Sequence, residues 1–87
     1  MATLANVRDE RAVDVQFVDD ELVVRLRDGR AICTPVRWYP RLRDATPEQR
    51  NNWQLNGVGY GIHWPDVDED LSVEGMLAGR PAVGWDR

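Results

Sequence analysis

Lysine is absent from this chain of 87 residues, and histidine, cysteine and phenylalanine occur once each, at His63, Cys33 and Phe17. A single cysteine excludes an internal disulfide and fits a reducing compartment. One histidine and one cysteine fall short of the two or more nitrogen or sulfur ligands that transition-metal sites usually need. No apolar run approaches the ~18 residues of a membrane span, and MATLANVRDERA at the start has no apolar leader segment. A cytoplasmic protein without a membrane segment is therefore expected. Positive charge is also short. Fifteen acids against eleven basic residues leave a formal net charge of −4, which argues against a nucleic-acid binder held by bulk charge. Every basic residue is arginine, so each cation is a planar fork suited to bidentate contacts with carboxylate or phosphate.

What remains is a globular composition, 43% hydrophobic and 30% charged. The length allows one domain over residues 1–87, with a core from about 12 to 79 and flexible ends at 1–10 and 80–87. A chain this short buries only roughly 60–65% of its unfolded surface, so each core residue counts.

Val13, Val15 and Phe17 alternate with Asp14 and Gln16, the period of a half-buried strand. Asp19-Asp20 marks a turn, and Leu22, Val24 and Leu26 then share one strand face. Asp28-Gly29 is a strong hairpin signal. A two-residue turn there would put Ile32 on the solvent face. A three-residue turn with Gly29 in a left-handed bulge pairs Val24 with Ile32, and this register is preferred. Pro35 ends the third strand because it offers no ladder donor. Residues 38–42 are expected to cross over as irregular structure. Thr46-Pro47-Glu48-Gln49 is a capping box with proline at the first helical position, opening a helix that runs to about Trp53. Residues 54–60 read as a turn or glycine-kinked strand leading to 62–64. Ser72 caps a last short helix that Gly79 stops, with Leu71 and Met76 spaced as a hydrophobic staple. The expected class is α+β: a small antiparallel sheet, an N-terminal meander of about three strands, with two short helices.

Candidate chemistry concentrates in GIHWPDVDEDLSVEGML, residues 61–77. Asp66, Asp68 and Asp70 imitate the start of a calcium loop, but Leu71 stands where its glycine belongs and Leu77 where its bidentate glutamate belongs. No metal, cofactor or catalytic residue is assigned, and carboxylates in water before a helix N-terminus are the plainer reading. A hydrolase or metal site centred on His63 is the weakest of three functional readings. The second is a nucleic-acid-linked regulator using Arg25, Arg27 and Arg30, with Arg37, Arg41 and Arg43 interleaved by Trp38 and Tyr39. The first is a non-enzymatic binding module that meets a small basic protein partner. Its expected contact residues are Trp64, Asp66, Asp68, Glu69, Asp70, Trp38 and Arg41, since a large aromatic beside dense charge suits an interface. A second copy of the chain is a further candidate partner, covering an exposed strand edge.

Four segments together resemble the bacterial family of unknown function DUF2442: DGR at 28–30, WYPRL at 38–42, ATPEQR at 45–50 and the block at 61–77. The resemblance spans residues 12 to about 79 in the same order. It implies a small α+β domain on an antiparallel sheet and no catalytic residues. Some relatives carry an appended helix-turn-helix segment, for which no room is expected here. Other short members sit beside a toxin-like protein of a second uncharacterised family, DUF4160, and are read as antitoxins. That implies an antitoxin-like role for this chain.

Overall fold

The computed structural model describes residues 8–86. Two three-stranded antiparallel sheets and three short helices make an α+β fold. The first sheet is the meander β1 (Ala12–Val18), β2 (Glu21–Leu26), β3 (Ala31–Pro35). Its second turn is the bulged one: Leu26 N–H donates to Arg30 O at 2.8 Å, Gly29 has φ +99°, and Val24 pairs with Ile32. This register buries Leu22, Val24, Leu26 and Thr34 and leaves Ile32 half-buried. Val13 departs from the expected alternation. A bulge between Ala12 and Asp14 turns Ala12 inward in its place, leaving Val13 45% exposed.

Residues 36–43 are more regular than expected. A 3₁₀ turn at Val36–Trp38 leads into α1 (Pro40–Arg43). Pro40 is preset for a helix N-terminus, and burial of Val36, Tyr39 and Leu42 supplies what the polar sequence conceals. Tyr39 hydroxyl bonds Thr34 Oγ1 at 3.0 Å, closing the polar groups of this buried corner, and burial raises the Tyr39 pKa. In α2 (Pro47–Asn51) the capping box forms in both directions, Gln49 N–H to Thr46 Oγ1 at 3.1 Å and Thr46 N–H to Gln49 Oε1 at 2.9 Å. The helix stops at Asn51, short of Trp53, because Asn52 leaves helical backbone at ψ 76°.

The second sheet is the main departure from expectation. It runs β4 (Gln54–Asn56), a 3₁₀ turn at Gly57–Gly59, β5 (Gly61–Trp64) and β6 (Glu69–Ser72). Residues 69–72 contain no β-branched residue, and they become a strand because Leu71 lies opposite Ile62 and Glu69 opposite Trp64. Asp68 takes a left-handed backbone, φ 53°, to close the turn. The acidic run is thus a hairpin tip and its returning strand. Ser72 still caps α3 (Val73–Leu77), accepting from Gly75 N–H at 2.9 Å.

The core lies between the two sheets and takes side chains from α1 and α3. Trp64 is its largest fully buried member, and its indole N–H donates to Arg50 O at 3.0 Å. The described tail turns back onto the core. Ala82 N–H donates to Trp38 O at 3.0 Å, and Trp85 packs edge-on against Trp38. At the other end Asp9 exchanges backbone and side-chain bonds with Asp28, which ties it to the first hairpin, and residues 1–7 of the expected lead-in lie outside the described residues.

Two stability outcomes follow. Gly29 has open space around it, so Gly29→Val tests backbone alone and costs about 1–2 kcal/mol. Trp64→Ala removes core volume and costs about 3–5 kcal/mol, a large share of a small domain's stability. Denaturant titration followed by circular dichroism reads both.

Candidate functional site: an acidic hairpin without arginine partners

The β5–β6 hairpin gathers most of the residues singled out in the sequence. Asp66, Asp68 and Asp70 are exposed, and Glu69 is half-buried. Asp66 accepts from Asn52 Nδ2 at 3.0 Å, which ties the turn to the end of α2. His63 and Asp70 face each other across the strands, Nδ1 to Oδ1 2.8 Å. Arg41 reaches the same turn, but its guanidinium donates to the Asp68 carbonyl and to no carboxylate.

Two expected contact residues are placed elsewhere. Trp64 is inaccessible to solvent, because alternation along β5 aims it and Ile62 inward while His63 faces out. It cannot touch a partner without unfolding the core. Trp38 is half-buried beneath the tail, between Tyr39 and Trp85.

Glu69 is the unusual carboxylate. Its position opposite Trp64 puts it on the inward side of β6, and burial raises its pKa. One of its oxygens accepts from Asp70 N–H at 3.0 Å. It lines both a cleft of about 220 Å³ with Tyr39, Ser72 and Arg80, and one of about 300 Å³ with Pro40, Arg41 and Val83. Tyr39, Asn52 and Arg80 carry no signal in the linear sequence that would associate them with the acidic run. Only the return of the tail and the end of α2 bring them there.

Charge is sorted along the molecule. Five carboxylates elsewhere have arginine partners: Asp9 with Arg11, Glu10 with Arg8 and Arg30, Asp28 with Arg30 at 2.9 Å, Asp44 with Arg43 and Glu74 with Arg80. Those guanidinium groups pull the carboxyls of Asp9 and Asp28 down to about 2. Among the described residues no arginine reaches ion-pair distance of a carboxylate at 66–70, where the sole cross-strand partner is His63. Of the arginines proposed for nucleic acid, Arg30 is thereby occupied at the first hairpin. A groove of about 550 Å³ brings Arg37, Arg43 and Arg50 together, but Asp20 and Glu21 share its wall and mix its charge.

For catalysis the His63–Asp70 pair would need a nucleophile beside it. The nearby hydroxyl on the strand, Ser72, accepts the Gly75 N–H as a helix cap. No group of three or more His, Cys, Asp or Glu side chains is placed to hold a metal ion among the described residues. No helix there is long and apolar enough to cross a membrane.

A family model for proteins of unknown function, DUF2442, matches residues 12–82. The chain belongs to this family. The matched span reaches Ala82, the tail residue bonded to Trp38. The fold of this DUF2442 protein is similar to a protein of unknown function from Rhodospirillum rubrum, at 30% identity and a TM-score of 0.73 over 85% of this chain and 92% of that one. It is also similar to an uncharacterised protein from Chromobacterium violaceum, at 25% identity and a TM-score of 0.72 over 85% of this chain and 70% of that one. No curated protein matches.

The raised Glu69 pKa gives a signed expectation. The folded state holds that proton more tightly than the unfolded chain, so the ionised carboxylate costs stability near neutral pH. Glu69→Gln removes the charge and keeps an acceptor for the Asp70 N–H. Its melting temperature should exceed wild type at pH 7. The gain should fade as pH drops through the folded pKa, and vanish below the ordinary glutamate value of 4.5.

Proposed function

We propose that this DUF2442 domain is a non-enzymatic cytoplasmic binding module whose β5–β6 hairpin docks a small basic protein, in the manner of an antitoxin covering its toxin. One observation carries the reading: among the described residues no arginine reaches ion-pair distance of the four carboxylates packed into 66–70, while Asp9, Glu10 and Asp28 at the first hairpin are paired within the chain. Exposed carboxylates held on a hairpin raise the rate of encounter with a basic surface and select against acidic ones. Arg41, bonded to the Asp68 carbonyl, holds the turn for that encounter. With Trp64 in the core, the apolar part of the contact falls to residues beside the hairpin, such as the half-buried Val67.

Surface-plasmon kinetics against the product of the neighbouring gene test this. Asp66→Asn, Asp68→Asn and Asp70→Asn together preserve the turn, because asparagine tolerates the left-handed backbone of residue 68. The triple variant should keep its circular dichroism spectrum and associate about ten-fold more slowly at low salt, with a flatter salt dependence. Association at the wild-type rate, or no binding by the wild type, refutes the reading.

A further inference from the structure

A strand at the margin of a sheet turns a row of backbone N–H and C=O groups away from its neighbour, and native proteins close such rows by identifiable means. Four strands stand at margins here: β1, β3, β4 and β6. On β6 the Val73 N–H bond to Tyr60 O sets the phase, so Asp70 faces outward. Its N–H is taken by the Glu69 carboxylate, and the Asp68 carbonyl before it by Arg41. β4 is only three residues long. β3 ends in Pro35, which has no N–H, and α3 packs beside it. Each of these margins is short, proline-ended or partly closed.

β1 has no such device. Val18 and Glu21 close a two-residue turn, so Asp14, Gln16 and Val18 bond to β2, while Val15 and Phe17 point their amides and carbonyls outward. Among the described residues no hydrogen bond reaches those outward groups. The strand is seven residues long, lacks proline, and carries exposed valines near both ends: Val13 at 45% and Val18 at 48%.

We propose that two copies of the chain meet at this margin, β1 pairing antiparallel with β1 of the second copy about a two-fold axis at Val15. The phase of the outward groups pairs odd-numbered positions with odd-numbered ones, so the two-fold passes through a residue; centring on Asp14 sets it against itself, and centring on Gln16 sets Val13 against Asp19 and Val18 against Asp14. Centring on Phe17 would set Asp14 against Asp20, like charge on like. Centring on Val15 sets Val13 against Phe17, and Asp14 against Gln16, whose amide is a donor to that carboxylate. The exposed Val13 gains an apolar partner and no like charges oppose. This self-complementarity favours a second copy over a foreign strand. The two meanders become one six-stranded sheet, and the two-fold closes the row with no further copy able to add. The acidic hairpin takes no part in this contact, which stands or falls independently of the docking reading.

Gln16 is exposed and makes only a 3.4 Å bond to Asp14, so substitutions there spare the core. Gln16→Glu sets a carboxylate against Asp14 twice per dimer, and Gln16→Arg sets a guanidinium there twice. Sedimentation velocity of the full chain, from micromolar to millimolar, should show a concentration-dependent dimer. Gln16→Glu should raise its dissociation constant roughly two- to thirty-fold, and Gln16→Arg should lower it by a similar factor. Circular dichroism should match wild type for both. A chain that stays monomeric at every concentration overturns the proposal. So does a dimer indifferent to both substitutions, which would mean association through another surface.

Discussion

The burial of Trp64 organises this molecule. Its ring meets Phe17 of the first sheet edge-on at 6.2 Å, and its indole N–H is satisfied by the Arg50 carbonyl. Arg50 then lays its guanidinium over Phe17 at 5.2 Å and donates to the carbonyls of Leu42 and Arg43 at the end of α1. One buried indole thus connects the second sheet to the first, to α2 and, through Arg50, to α1. A short chain has little core to spare, and a polar N–H buried with this ring without a partner would cost what the burial gains. The carbonyl of Arg50 is therefore as much part of the core as the ring.

The inward aim of Trp64 sets the outward aim of its neighbours. With Ile62 and Trp64 facing the core, His63 and Asp70 face water, and Glu69 is drawn to the inner side, where burial penalises its charge. The chain tolerates this because Glu69 closes an otherwise open backbone donor on β6. An inward-tilted carboxylate at a sheet margin also repels an added strand. The same residue therefore costs stability and protects an edge.

Charge is divided between two hairpins. At the first, acids and arginines neutralise one another, and the depressed carboxyls of Asp9 and Asp28 record it. At the second, no arginine among the described residues reaches ion-pair distance of a carboxylate. A surface whose charges are satisfied internally has little left for a partner, whereas an uncompensated one carries a field into solution. That asymmetry gives the binding reading a location in a family of otherwise unknown function.

The first sheet was legible in the sequence because its signals are local. Alternation in residues 22–26, Asp28-Gly29 with glycine at positive φ, Pro35 at a strand end and the Thr46 capping box each act within a few bonds. Family membership was legible for a similar reason, through short blocks in fixed order. The acidic residues of 66–70 could be named, but not placed. Their strand arises from the pairing of Leu71 with Ile62 and Glu69 with Trp64, contacts whose worth depends on a core assembled from the whole chain. Whether Trp64 faced a partner or the interior turned on strand phase, and a one-residue slip reverses it. Val13 shows the same limit, since a single bulge exposed it against an alternating pattern. Propensity, turns and caps were written locally, while inside and outside were decided only when two sheets closed over one indole ring.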